Sequence, residues 1–203
     1  MSDKVLTQPE KVFTAEDYLK FERRDAGKQE YSNGNVLNSS GSSRRHNLIG
    51  SNTTIAIGSR VRGHKCEVYV NDMRVKLAPH NYCYPDVVVV NGEPNFEGKE
   101  LDILLNPTVI VEIFSNQTNS SDKTNKLESY LAMESIKEFV LLKEEEMRVE
   151  HYARQNAKQW IYRIYNERDD VISLESINCK VSVSEVYAQV KAKHAELSSK
   201  AVN

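Results

Sequence analysis

The stretch TVIVEIFSNQTNSSDKTNKLESYLAMESIKEFVLL, residues 108–142, decides the fold. It opens with the β-branched and aromatic run Thr108 to Phe114, the pattern of a central strand covered on both faces. From Ser120 to Met133 the period changes. Leu127, Tyr130 and Leu131 form an apolar stripe at helical spacing, behind a Ser or Asp suited to an N-cap. Glu138 to Leu142 returns to strand character. Strand, helix and strand in that order predict a right-handed crossover between parallel neighbours. The anomaly is Glu112 inside the first strand. An isolated ionised carboxylate in an apolar core costs several kcal/mol, so Glu112 must be paired, protonated or bound to a cation.

Working outward, YPDVVVV (residues 84–90) is a second such strand. Pro85 cannot donate to a ladder, so it marks the strand's start and puts Asp86 at the entrance. If the two strands pair antiparallel, Asp86 and Glu112 meet at one edge of the sheet. Two converging carboxylates repel unless a cation lies between them. Hard oxygen ligands, with a backbone carbonyl and water, suit Mg²⁺ or Mn²⁺. The plainer alternatives are a strand-end Asp86 accepting backbone hydrogen bonds and a Glu112 ion-paired to a covering helix. A metal-dependent diester-cleaving site also needs a positive side chain beside the attacking water. Two residues after Glu112, on the same strand face, stands Phe114, which has no charge. Lys126 borders the helical stripe and can reach back, with Lys123 one turn earlier. For either lysine the alternative is a solvated helix position.

The remainder reads as an α/β domain. Thr14 caps a short helix to Arg24, and Asn33-Gly34 turns a hairpin in QEYSNGNVLN. SSGSSRR is a loop before a helix from His46 to Arg62, whose apolar residues Leu48, Ile49, Ile55, Ile57 and Val61 are imperfectly spaced. CEVYV and MRVKL alternate as half-buried strands do. RVEHYA and QWIYRIY predict an antiparallel extension, with Trp160, Tyr162 and Tyr165 packing it, and a helix spans Ser184 to Ala195. Residues 1–12 are expected to form an arm, 13–195 one domain and 196–203 a tail.

The 203 residues carry a net charge of −2 and are 39% hydrophobic, an ordinary balance for one globular domain. That charge argues against non-specific coating of nucleic acid, though not against a local basic groove. Cys66, Cys83 and Cys179 make an odd count without metal-binding spacing, which points to a reducing compartment. No run approaches membrane-spanning length, so a cytoplasmic protein without a membrane partner is expected.

YPDVVVV followed by VIVEIFSNQTNSSDKTNKLESY resembles the PD-(D/E)XK nuclease superfamily and, within it, the bacterial Uma-two family. EYSNGNV, RRHNLI, DMRVKL and EFVLL match further, in the family's order, across residues 13–190. The resemblance implies a restriction endonuclease-like fold, a mixed central sheet flanked by helices with the antiparallel extension added. It implies Mg²⁺- or Mn²⁺-dependent endonuclease activity on nucleic acid, DNA first. Asp86, Glu112 and the Ile113 carbonyl match the metal ligands, and Lys126 matches a lysine moved from the strand to the following helix. Glu30 resembles a fourth acidic position. His46 resembles a recurring histidine that is either an accessory base or a structural hydrogen-bonder. Arg44 and Arg45, with Arg60 and Arg62, form either a phosphate-contacting rim or a solvated helix end. Two features depart from the pattern: SNQT (residues 115–118) where Ser-Pro-Ser-Thr is usual, and Asn35 in place of an acid. A homodimer would suit cleavage of both strands. The competing readings are an inactive nuclease-like fold that binds nucleic acid or regulates, and an oligomerisation module with Glu112 bridged to Lys126.

Overall fold

Asn33 and Gly34 both take positive φ, 47° and 93°, as a two-residue hairpin turn requires. The turn joins β1 (Gln29–Ser32) to β2 (Asn35–Asn38), after helix α1 (Ala15–Glu22) capped by Thr14. The computed structural model describes residues 13–24, 28–38, 42–115 and 120–191; the expected arm, the tail and the SNQT loop beyond Ser115 lie outside them. Helix α2 (Arg44–Val61) leads to β3 (Cys66–Val70), β4 (Arg74–Ala78), β5 (Asn81–Cys83) and β6 (Val87–Asn91). The crossover follows a short β7 (Ile103–Leu104): β8 (Val109–Phe114), α3 (Ser120–Ala132) and β9 (Glu138–Lys143). Strands β10 (Val149–Asn156), β11 (Gln159–Tyr165), β12 (Val171–Leu174) and β13 (Cys179–Ser182) precede a terminal turn of helix, α4 (Val183–Val186).

The central sheet has the order β11-β10-β9-β8-β6-β3 and is mixed: β8 and β9 are parallel, the other pairs antiparallel. Its covered strands have no polar face because alternate side chains enter different cores. Val87, Val89, Val109, Val111 and Ile113 pack with α2, the β12–β13 hairpin and α4. Val88, Val90, Ile110 and Phe114 pack with α3 and a second sheet. That second sheet, β2-β1-β5-β4-β7, holds the early hairpin and MRVKL, so these segments lie apart from the central one.

Two details differ from the sequence reading. The buried face of α2 is Arg45, Ile49, Thr53, Ala56, Ile57 and Val61, while Ile55 is 68% exposed. The expected helix from Ser184 ends at Val186, although Ser182 and Glu185 form a capping box at its start. Beyond it Gln189 takes a positive φ of 61°, and the Tyr187 hydroxyl donates to the carbonyls of Lys143 (2.9 Å) and Arg148 (2.8 Å), holding the chain against the β9–β10 turn.

The second sheet is fastened by buried Arg74, which bonds Glu22 closely, the Tyr84 hydroxyl at 2.9 Å and Asp102 at 3.1 Å. Tyr84 immediately precedes the Pro85-Asp86 entrance to the central sheet. Arg74→Met removes the ion-pair partner of buried Glu22, leaving it the Tyr84 hydroxyl, and is expected to cost roughly 3 kcal/mol, read from urea denaturation. An unchanged midpoint would show that Glu22 is adequately solvated.

Candidate active site

Strand register places the acids. β6 and β8 pair Val87 with Val111, so one step further Asp86 lies across from Glu112, as the antiparallel expectation required. Asp86 accepts the Ile113 backbone N–H at 2.8 Å through Oδ2, while Oδ1 lies 2.8 Å from His46 Nε2. In an extended strand one residue's N–H and C=O point to the same side, so the Ile113 carbonyl also faces Asp86. Glu30 comes from the second sheet. The pairing of Tyr31 with Tyr82 sets it opposite Cys83, and its Oε1 accepts the Tyr84 N–H at 3.5 Å.

Lys126 closes the group from α3. Its ammonium donates to Glu30 Oε1 at 2.8 Å and Glu112 Oε1 at 3.5 Å. Burial works to lower its pKa, but the Glu112 and Glu30 carboxylates prevail and raise it, so the lysine stays charged. Phe114 is buried where the usual lysine would stand, and the Lys123 ammonium lies 5.8 Å over its ring. Glu112 is only 4% exposed. Burial, with Asp86 and Glu30 adding negative charge, lifts its pKa to about 7, against the opposing effects of Lys126 and Tyr130.

Tyr130 is the participant missed in the sequence. Its buried hydroxyl donates to Glu112 Oε1 and lies 3.5 Å from the Cys83 sulfur. The signal was present, since Tyr130 follows Lys126 by four residues and therefore shares its helix face.

His46 is placed by the N-terminus of α2, where Ser43 caps its backbone N–H at 3.1 Å and also bonds Glu144. Burial works to lower the imidazole pKa, but the Asp86 hydrogen bond and charge prevail and raise it. Arg44 is exposed at the same helix end. Arg45 corrects the basic-rim expectation. It is 8% exposed, and its guanidinium donates to the Glu144 carbonyl (2.6 and 2.9 Å) and the Lys191 carbonyl (2.6 Å). It anchors α2 rather than facing a phosphate. Arg60 pairs with Glu185 at 2.7 Å, and with Arg62 lies roughly 20 Å along the helix from His46.

The site therefore gathers Asp86, Glu112, Glu30, Lys126 and His46 where the two sheets meet. The family model for Uma2, described as "Putative restriction endonuclease", matches residues 15–184. The chain belongs to the Uma2 family. A Synechocystis protein named "Uncharacterized protein sll1609" is 31% identical over 152 residues, 74% of this chain and 86% of that one. A second Synechocystis protein, slr1290, is 25% identical over 173 residues, 85% of this chain and 90% of its own length. The crystal structure of a "putative nuclease belonging to DUF820" from Anabaena variabilis superposes with a TM-score of 0.70 at 18% identity, covering 87% of this chain and 98% of that one. The likeness is one of fold, and the Uma2 chain has the restriction endonuclease-like architecture.

The Glu112 carboxyl binds its proton more tightly in the folded state than its ordinary pKa of 4.5 allows in the unfolded chain. Its stabilising contribution is therefore fully present below about 4.5 and is lost as pH rises through about 7. In EDTA, Glu112→Gln is expected to flatten this pH dependence and to stabilise the protein at pH 8 by on the order of 3 kcal/mol. Thermal melts from pH 4.5 to 8 check it, and equal slopes in both proteins would refute it. Tyr130→Phe removes a hydrogen bond that favours the charged carboxylate, so the Glu112 titration, followed by ¹³C NMR of labelled glutamate, should move upward.

Proposed function

We propose that this Uma2 chain is a divalent-metal-dependent endonuclease that hydrolyses phosphodiester bonds, with DNA the first candidate substrate and Mg²⁺ or Mn²⁺ the cofactor. The observation that carries the reading is the meeting of Asp86, buried Glu112 and Glu30 where the two sheets join, with Lys126 donating to Glu30 and Glu112. The raised pKa of Glu112, with Lys126 and His46 already beside the acids, shows that its charge is under-compensated, and a cation between Asp86 and Glu112 would offset it.

The donor set fits a hard divalent ion in its chemistry. A carboxylate offers about four lone-pair sites, and the two Asp86 contacts above leave acceptor capacity on that residue. Among the described residues, no group of three His, Cys, Asp or Glu side chains is arranged to hold a metal alone. Asp86 and Glu112 would therefore hold the ion with the Ile113 carbonyl and water, as Mg²⁺ commonly retains several waters. Bound there, the ion supplies Lewis acidity toward water and phosphate. Lys126 keeps a positive charge beside Glu112, suited to orient the attacking water and to offset charge developing on the phosphoryl oxygens. Glu30 aims that ammonium, His46 fixes the Asp86 carboxylate, and Tyr130 fixes that of Glu112.

A second reading is favoured by the Lys126 bridge itself, which supplies an internal counter-ion: an inactive nucleic-acid-binding fold that needs no metal. Two measurements separate them. Millimolar Mg²⁺ or Mn²⁺ is expected to raise the Tm of the parent but not of Glu112→Gln. In a nicking assay on supercoiled, linear, branched and single-stranded DNA, Asp86→Ala and Lys126→Ala should each lose at least about a hundredfold in rate. Cleavage unchanged in both variants would refute the mechanism, and a parent inert on every substrate would favour the binding fold.

A further inference from the structure

A groove of about 300 Å³ opens between α2 and the turn after β3. One end of it belongs to the candidate site, because the His46 ring lines the groove while bonding Asp86. The opposite wall is tied there too, since the Asn71 backbone N–H donates to the Asp86 carbonyl at 3.0 Å. Whatever enters the groove therefore stands next to Asp86.

The lining has a definite chemistry. Ile55, 68% exposed, and Val70, 37% exposed, offer apolar surface from two different elements. Between these lie neutral polar groups with acceptor capacity to spare. The Thr54 hydroxyl donates to the Gly50 carbonyl at 2.8 Å, leaving its oxygen able to accept. The Asn47 amide nitrogen is used on the Ser42 and Ser43 carbonyls, leaving its oxygen available. Ser51 adds an exposed hydroxyl. The lining contains no Asp, Glu, Lys or Arg, and His46 is its one ionisable side chain. Lys28, which reaches the Asn71 carbonyl, is paired with Asp72 at 3.1 Å.

Such a groove gives a phosphate no fixed positive charge to meet. It suits a flat heteroaromatic group with apolar faces and a hydrogen-bonding edge. Gly50 also lines the groove. A helix-interior glycine costs about 1 kcal/mol relative to alanine, and a Cβ here would meet Ile113 at 3.4 Å.

We propose that the groove receives the base of an unpaired nucleotide flanking the scissile phosphodiester, which makes the substrate single-stranded or locally unpaired nucleic acid; this rests on the nuclease reading above. A base inside a duplex has its faces stacked and its edge paired, so it cannot enter without being extruded.

The test is fluorescence anisotropy in EDTA with labelled oligothymidylate, the same strand carrying abasic sites, and a duplex of equal length. The parent is expected to bind the single strand about tenfold tighter than the duplex or the abasic strand. Ser51→Trp, which fills the groove from an exposed helix position, should erase that preference without lowering Tm. If it does lower Tm, Ile55→Ala decides by the same comparison. Equal affinity of the parent for all three ligands, or a variant indistinguishable from the parent, overturns the inference. Nicking assays keep the two readings separate: cleavage without base preference sinks only the groove, and base preference without cleavage sinks only the nuclease.

Discussion

The position of the Lys126 ammonium between Glu30 and Glu112 joins the two sheets at the point where the chemistry is proposed. Glu30 belongs to the second sheet and Glu112 to the central one, while the lysine comes from the helix between β8 and β9. Removing it would leave buried Glu112 facing two other acids with only the Tyr130 hydrogen bond and its surroundings to help. The chain itself crosses at the same place, passing from β5 through Tyr84 and Pro85 into β6. The second sheet is thus part of the site.

Burial alone does not raise a glutamate's pKa, as Glu138 shows. It is as deeply buried as Glu112, at 3% exposure against 4%. Yet Glu138 accepts from His151 at 3.0 Å, from the backbone N–H groups of Glu175 (3.2 Å) and Ser176 (3.0 Å), and from the Ser176 hydroxyl. Burial works to raise its pKa, but those donors prevail and lower it. Glu112 has Tyr130 and Lys126 for it and two carboxylates against it, so its pKa rises. One carboxylate ties a turn to the sheet, while the other keeps a raised pKa.

Much of this was legible in the sequence because the decisive signals are local. The β-branched runs at 87–90 and 109–114, the Asn33-Gly34 turn and the stripe on α3 each fix an element within a few residues. The juxtaposition of Asp86 with Glu112 then followed from pairing direction alone. Features set by distant contacts were hidden. The alternation in MRVKL announces a half-buried strand but not which sheet it joins. Arg45 looks like a surface arginine until its guanidinium meets carbonyls 99 and 146 residues away. The early end of α4 goes with a positive φ at Gln189 and a Tyr187 bond to the β9–β10 turn, neither of which helical propensity announces.

The exchange of the usual strand lysine for Phe114 and Lys126 changes how the site is built. A strand lysine two residues after the acid would be aimed by the pleat and would need little else. A helix lysine must be aimed by its neighbours, and here Glu30 makes the shorter of its two carboxylate contacts. Phe114, freed from any polar role, fills the core beneath α3 and gives Lys123 a ring to cover. The helix therefore contributes twice to the site: Lys126 supplies a positive charge, and one turn on Tyr130 donates to the carboxylate that the charge offsets. A displacement of α3 would disturb both together. The crossover that decides the fold is the same element that sets the electrostatics of the candidate active site.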